Sequence, residues 1–240
     1  MKIEVLEKND TNLRISVKDA DVPLMNALRR IALAEVPSMA IDEVVMIENS
    51  SILQDEIVSH RLGLTPLKTD LDSYNLPEDC ECKSEFGCPQ CRVTLTLDVE
   101  AKEGTRTVYS GELVSENPDI IPVSDKVPLI KLAKGQKLKL EAYARLGKGK
   151  NHAKWQPTAV CAYKYFPKIE VRDLLACNLC MDCVEACPTE PKPLKVEWEK
   201  NMFIMNIESA GGLPPERILQ EATKILDKQL KEFEDQLKVE

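Results

Sequence analysis

The chain has 240 residues and a mass of 27.0 kDa, with 43% hydrophobic and 30% charged residues, a balance that excludes both a disordered tail and a membrane-embedded protein. Folding at this mass buries roughly 28,000 Å² of the about 39,000 Å² that the unfolded chain exposes, enough for a substantial core. Thirty-two basic against forty acidic residues leave a net charge of −8, which excludes a protein that binds the phosphate backbone through overall charge and restricts any contact with DNA to a local one.

Residues 3–7 (IEVLE) and 13–17 (LRISV) alternate apolar and polar positions on either side of Asn9-Asp10, the pattern of a β-hairpin. Asp21 is placed to cap a helix with Pro23 in its first turn. Leu24, Leu28 and Ile31 form its apolar stripe, Arg29 and Arg30 lie beside that stripe, and Pro37 ends the helix. From 41 to 146, short β-branched runs such as VTLTLDV and LKLEAYARL are broken by Gly, Pro and Asn, which predicts a β-rich inserted domain. Between Lys131 and Lys154 eight Lys or Arg stand against one acid, Glu141, a local charge of +7. A charge run is usually a solvated face, but the loop 147–155 adds His152 and Trp155 and suits docking to an acidic partner surface or to phosphate, with a protein partner favoured in a chain of net negative charge. Residues 166–194 gather cysteines and prolines, with too little apolar content to fold without a cross-link or a metal. KVEWE and MFIMNIE then read as a second hairpin around Lys200-Asn201. After Gly211-Gly212, Pro214-Pro215 launch a helix of about 36 Å, on which Ile218, Ala222, Ile225, Leu226, Leu230, Phe233 and Leu237 make one apolar seam. A helix of that length is long enough to reach beyond its own domain, the alternative being that its seam packs on its own sheet.

The chemistry is as restricted as the charge. His60 and His152 are the only histidines, which excludes paired-histidine metal catalysis. The nine glycines form no dinucleotide or phosphate loop; Gly147-Lys148-Gly149-Lys150 lacks the spacing. The opening MKIEVLEKND lacks the build of a signal peptide, and no apolar run approaches the length of a membrane span, so a cytoplasmic protein is expected. Eight of the nine cysteines fall in two tight groups, which points to metal ligation before disulfides. Cys177, Cys180, Cys183 and Cys187, followed by Pro188, have the C-x2-C-x2-C-x3-C-P spacing of ferredoxins. Cys187 either completes a 4Fe–4S cluster or leaves Cys177, Cys180 and Cys183 to hold a 3Fe–4S cluster; zinc or disulfides are the other occupants of such a loop. Cys80, Cys82, Cys88 and Cys91 place two close pairs about a short loop, as a closed, structural tetrathiolate zinc site requires, with two disulfides as the alternative. Cys161, alone in the apolar stretch VCAYKYF, reads as a buried, inert thiol.

Several stretches together resemble a known family: Asn26 to Ser38 (NALRRIALAEVPS) with Met39-Ala40-Ile41-Asp42, His60 to Leu67 (HRLGLTPL), residues 147–157 (GKGKNHAKWQP) and 203–230 (FIMNIESAGGLPPERILQEATKILDKQL). They are similar to the D-type subunit of archaeal DNA-directed RNA polymerases and, by extension, to the third-largest subunits of eukaryotic polymerases and bacterial alpha. The resemblance runs end to end and implies an α+β chain. In it, residues 1–40 and 195–240 form one discontinuous two-layer pairing domain, an antiparallel sheet with two helices. Residues 41–165 form the inserted β-rich domain with the cysteine loop 80–91, and residues 166–194 form a ferredoxin-like insert. It implies a non-catalytic subunit of a DNA-directed RNA polymerase, a nucleotidyltransferase complex, with no active site on this chain. The partners implied are the smaller homologous subunit L, subunit N and the large catalytic subunits, with little DNA contact. Leu24, Leu28, Ile31, Ile225, Leu226, Leu230 and Phe233 then correspond to the pairing surface, and Arg29 and Arg30 to an Arg-Arg facing the second-largest subunit. Cys80, Cys82, Cys88 and Cys91 correspond to the zinc loop of the eukaryotic relatives, with a longer central spacer. The contrasting reading is a ferredoxin-like electron-transfer or redox protein, in which the run from Cys177 to Cys187 would be the working part; no flavin or nicotinamide fingerprint accompanies it.

Overall fold

The computed structural model describes residues 1–84, 86–171 and 194–237. In chain order the elements are β1 (Lys2–Lys8), β2 (Asn12–Lys18), α1 (Val22–Ala34), β3 (Pro37–Asn49), α2 (Asp55–Gly63), β4 (Val93–Glu100), β5 (Arg106–Tyr109), β6 (Val114–Ser115), β7 (Pro128–Leu132), β8 (Lys137–Lys148), β9 (Thr158–Val171), β10 (Leu194–Ser209) and α3 (Pro215–Leu237). The strands make three antiparallel sheets among the described residues, ordered β1-β2-β10-β9, β3-β8-β4-β6 and β5-β7.

The period-2 alternation of LRISV puts Leu13, Ile15 and Val17 on one face of the first sheet, and Phe203, Met205 and Ile207 continue that face on β10. Met25, Ile31 and Ala32 of α1 and Ile218 and Ala222 of α3 close over it. Burying a side chain such as Phe203, 0% exposed, contributes about 1.5–3 kcal/mol, so this layer has a core of its own. Asp21 caps α1 by accepting from the Leu24 N–H at 3.0 Å. A second core lies on the second sheet, where the alternating strands β4 and β8 contribute Leu95, Leu97, Leu138 and Leu140. The two cores meet at a hydrogen-bonded seam. Ser38 Oγ donates to the Trp155 carbonyl at 2.8 Å, the Met39 N–H to Thr69 Oγ1 at 3.0 Å, and the Thr69 N–H to the Gly212 carbonyl at 2.9 Å.

Three expectations change. KVEWE and MFIMNIE do not form a hairpin: both belong to β10 and pair with β9, and a register shift between Glu199 and Phe203 absorbs the polar Lys200-Asn201. Residues 158–165, grouped above with the inserted domain, lie in β9, where Cys161 pairs with Ile207 and joins the first core. The inserted region is also less uniformly β than its composition suggests. It contains α2, whose Val58 and Leu62, one helical turn apart, are 1% and 0% exposed.

Candidate docking surface and metal centre

The seam on α3 divides in two. Ile218 and Ala222 are fully buried, while Leu219, Ile225 and Leu226 are partly buried against the first core. Beyond Leu226 neither the sheet nor α1 supports the helix, and Leu230, Phe233 and Leu237 are 59%, 62% and 65% exposed. On α1, Leu24 and Leu28 are half-buried at the rim, whereas Ile31, 6% exposed, is claimed by this chain's own core and has little surface left to offer. An open groove of about 270 Å³ separates the helices, lined by Ala27, Arg30, Ile31, Ala34, Glu35, Leu226 and Gln229. The two arginines differ. Arg29 is half-buried, its guanidinium donating to Asn26 Oδ1 at 3.0 and 3.2 Å, while Arg30 is exposed at the edge of the groove.

The loop between α2 and β4 brings four cysteines together. Cys80 and Cys91 are buried, Cys88 is half-buried and Cys82 is exposed. Their four Sγ atoms all lie within 4.8 Å of one another, with Cys80–Cys88 at 3.7 Å, Cys88–Cys91 at 3.8 Å and Cys82–Cys91 at 3.9 Å. A tetrahedron of sulfurs about 2.3 Å from a central ion has edges of about 3.8 Å, so the donor set has the dimensions of a tetrathiolate metal site. None of the four thiols is bonded to another. The Cys88 N–H donates to Cys91 Sγ at 3.1 Å, and Gly87, at φ +77°, turns the chain where a Cβ would stand 3.3 Å from that sulfur. The Ser84 N–H and the Cys80 thiol draw the Cys82 thiol down to about 7, whereas burial pushes Cys91 up to about 12. Four closely spaced cysteines of this kind could hold a metal ion, which would supply the positive charge that a fully ionised set needs.

The basic segment is occupied within the molecule. Lys148 pairs with Glu78 and holds its carboxyl below the usual carboxylate range. Lys150 pairs with Glu35 at 3.0 Å, and the half-buried Asp42 receives both Lys154 and Arg145. Lys154 also lies 4.3 Å from the centroid of the Trp155 ring. These cations are therefore paired with acidic residues of this chain. No spacing rule reveals such partners, because Lys150 and Glu35 stand 115 positions apart.

The RNA polymerase Rpb3/RpoA insert domain is matched by residues 44–160, a stretch that carries most of the second sheet and of its core. Proteins described as DNA-directed RNA polymerase subunit Rpo3 match almost the whole chain. The one from Archaeoglobus fulgidus is 39% identical over 97% of this chain and 96% of its own length. The one from Methanothermobacter thermautotrophicus is 40% identical over 94% and 95%, and that from Pyrobaculum neutrophilum 41% identical over 98% and 94%. The chain belongs to the Rpo3 family of RNA polymerase subunits.

Among the residues the sequence singled out for this Rpo3-family chain, the four of the loop 80–91 meet in one site, whereas of those on α1 and α3 Arg30, Ile31 and Leu226 line the groove and Leu24, Leu28, Arg29, Ile225, Leu230 and Phe233 do not. Cys177, Cys180, Cys183 and Cys187 lie outside the described residues; the ladder flanking them ends at the pair Val171 and Leu194. Among the described residues no helix is long and apolar enough to cross a membrane.

Proposed function

We propose that the chain is a non-catalytic assembly platform of a DNA-directed RNA polymerase. Leu24, Leu28, Ile225, Leu226, Leu230 and Phe233 pair with a smaller homologous subunit, the counterpart of subunit L. Subunit N and the large subunits dock on the resulting pair, chiefly the second-largest through Arg29 and Arg30, in the cytoplasm and with little direct contact to DNA. The observation that carries this reading is the divided seam of α3: the same apolar stripe is fully or partly buried in this chain as far as Leu226 and exposed from Leu230 onward. Covering such side chains contributes about 1.5–3 kcal/mol each, which favours a permanent partner. The test is co-expression with the smaller subunit followed by gel filtration, then addition of the large subunits. A stoichiometric pair that recruits the second-largest subunit is expected, and a chain that elutes alone overturns the reading.

In this function the cysteine loop 80–91 holds a structural zinc ion. Cys80, Cys82, Cys88 and Cys91 supply all four ligands, so the ion pins the loop and has no open position for a substrate. The spacing of Cys177, Cys180, Cys183 and Cys187 supports a 4Fe–4S or 3Fe–4S cluster that stabilises a ferredoxin-like insert. Metal analysis and a visible spectrum of anaerobically purified protein test both sites; absence of iron overturns the cluster. The near-full-length likeness to polymerase subunits does not favour the electron-transfer reading.

A further inference from the structure

The four sulfurs of the loop 80–91 are unequally sheltered. Cys80 is 4% and Cys91 3% exposed, Cys88 is half-buried, and Cys82 alone of the four is exposed. The chain turns sharply directly after it, at Lys83, whose φ of +45° lies in the left-handed region. Cys82 Sγ stands 3.9 Å from Cys91 Sγ, while Cys80 and Cys88 stand together at 3.7 Å. A disulfide joins its sulfurs at about 2.05 Å, so Cys82 and Cys91 need approach each other by only about 2 Å to bond.

The base of the loop is tied to the body independently of these sulfurs. The Asn75 N–H donates to the Gln90 carbonyl at 2.9 Å, Lys148 of β8 pairs with Glu78, and the Arg92 guanidinium lies 4.2 Å from the centroid of the Tyr143 ring, also on β8. A change confined to the sulfurs therefore alters the tip of the loop, which carries the 74% exposed Phe86, and leaves its base in place. Sulfurs that hold a metal are thiolates, and an accessible thiolate is the form of cysteine that peroxide oxidises.

We infer that Cys82 is a peroxide-reactive site whose oxidation opens the metal centre through a Cys82–Cys91 disulfide. The inference rests on the zinc reading above. First, the Cys82 thiolate attacks one oxygen of hydrogen peroxide: an S–O bond forms, the O–O bond breaks, and hydroxide leaves and takes a proton from solvent. The Cys91 thiolate then attacks the sulfur of the resulting sulfenic acid: the S–S bond forms, the S–O bond breaks, and a second hydroxide leaves and is protonated. The two sulfurs lose two electrons, the peroxide gains them, and two waters result. Cys80 and Cys88 remain, and two ligands do not close a tetrahedral site, so the zinc ion is released. A dithiol reverses the change by thiol–disulfide exchange and becomes a disulfide itself.

The test treats the full, zinc-loaded chain with increasing hydrogen peroxide, then measures zinc retained after gel filtration and maps disulfides by mass spectrometry. Trypsin cuts after Lys83 and Arg92 and so places Cys80 and Cys82 on one peptide and Cys88 and Cys91 on another. Zinc should be lost in step with a Cys82–Cys91 link between those peptides, and dithiothreitol with added zinc should restore both. A first disulfide between any other two cysteines, or zinc loss with all four thiols intact, overturns the inference. Retention of zinc and of the four thiols overturns it and leaves the zinc reading standing, whereas a loop that holds no zinc before treatment overturns both. Cys82→His keeps four ligands, as a three-cysteine, one-histidine set, and removes the reactive thiolate. This variant should lose zinc to peroxide at least about tenfold more slowly than the wild type, and equal rates overturn the inference. If it does not take up zinc, the first disulfide formed in the wild type decides.

Discussion

Lys150 reaches the Glu35 carboxylate at 3.0 Å, and its backbone N–H donates to the Ala34 carbonyl at 2.9 Å. The last turn of α1 has no basic residue of its own, so a distant loop supplies both the donor and the positive charge that a helix C-terminus favours. Beside it, Gly149 leaves no room for a side chain: a Cβ there would collide with the Leu33 carbonyl oxygen and come within 3.3 Å of Ala34 Cα.

This contact predicts unequal effects for neighbouring substitutions. Gly149→Ala should cost about 1–3 kcal/mol through overpacking. Lys150→Ala should cost under about 1 kcal/mol, because its ion pair is solvated and its backbone bond survives. Denaturant titration of the free chain separates the two. Equal losses would mean that charge, and not close approach, holds the loop on α1.

Leu230→Asp should leave the free chain folded, since Leu230 is 59% exposed and lies outside the buried core. Burying that carboxylate in the subunit pair without a partner costs several kcal/mol, so the pair should separate on gel filtration. Normal co-elution of a folded variant would remove Leu230 from the pairing surface.

Cys88→Ser should lower bound zinc from about one ion per chain towards none, because a closed site loses its tetrahedron with any ligand. The effect should be local. Limited proteolysis should open the region 76–92 while pairing, which rests on the first core, continues. Full zinc content in the variant would exclude Cys88 as a ligand.

Cys161 should resist alkylation in the native chain. Burial, weakly opposed by Arg29, raises its thiol to about 11, above the usual 9.0, so the thiolate is scarce at neutral pH. Its folded pKa is raised, so its contribution to stability is complete below about pH 9 and is lost as pH rises towards 11. Iodoacetamide labelling with and without denaturant checks this; rapid labelling of Cys161 in the native state would contradict it.

Much of the fold was legible because its signals are local. Asp21 with Pro23 announces α1, alternation announces β2 and β4, and Pro214-Pro215 announce α3. Cysteine spacing likewise announced the cluster at 80–91, since its ligands come from one short loop. What escaped depends on position in the sheet. Ile3 and Ile15 carry the same pattern, yet β1 is an edge strand and β2 is central, and nothing within either segment distinguishes them. Lys200-Asn201 has the composition of a turn, but β9 offers pairing on both sides of it and the chain continues as one bulged strand. The acidic partners of Lys148, Lys150 and Lys154 lie in distant segments, so these ion pairs could not be read from the charge run itself.

The pairing of Val171 with Leu194 brings two points of the chain that are far apart in sequence onto neighbouring strands of the first sheet. Backbones of adjacent antiparallel strands stand about 5 Å apart, a gap that a two-residue turn spans. A chain cut after Val171 and rejoined to Leu194 through such a turn keeps every ladder contact of the first sheet, along with α1, α3 and their groove. Gain or loss of the Cys177–Cys187 run is therefore a change that a lineage can make in one deletion or insertion, without rebuilding the body that carries it.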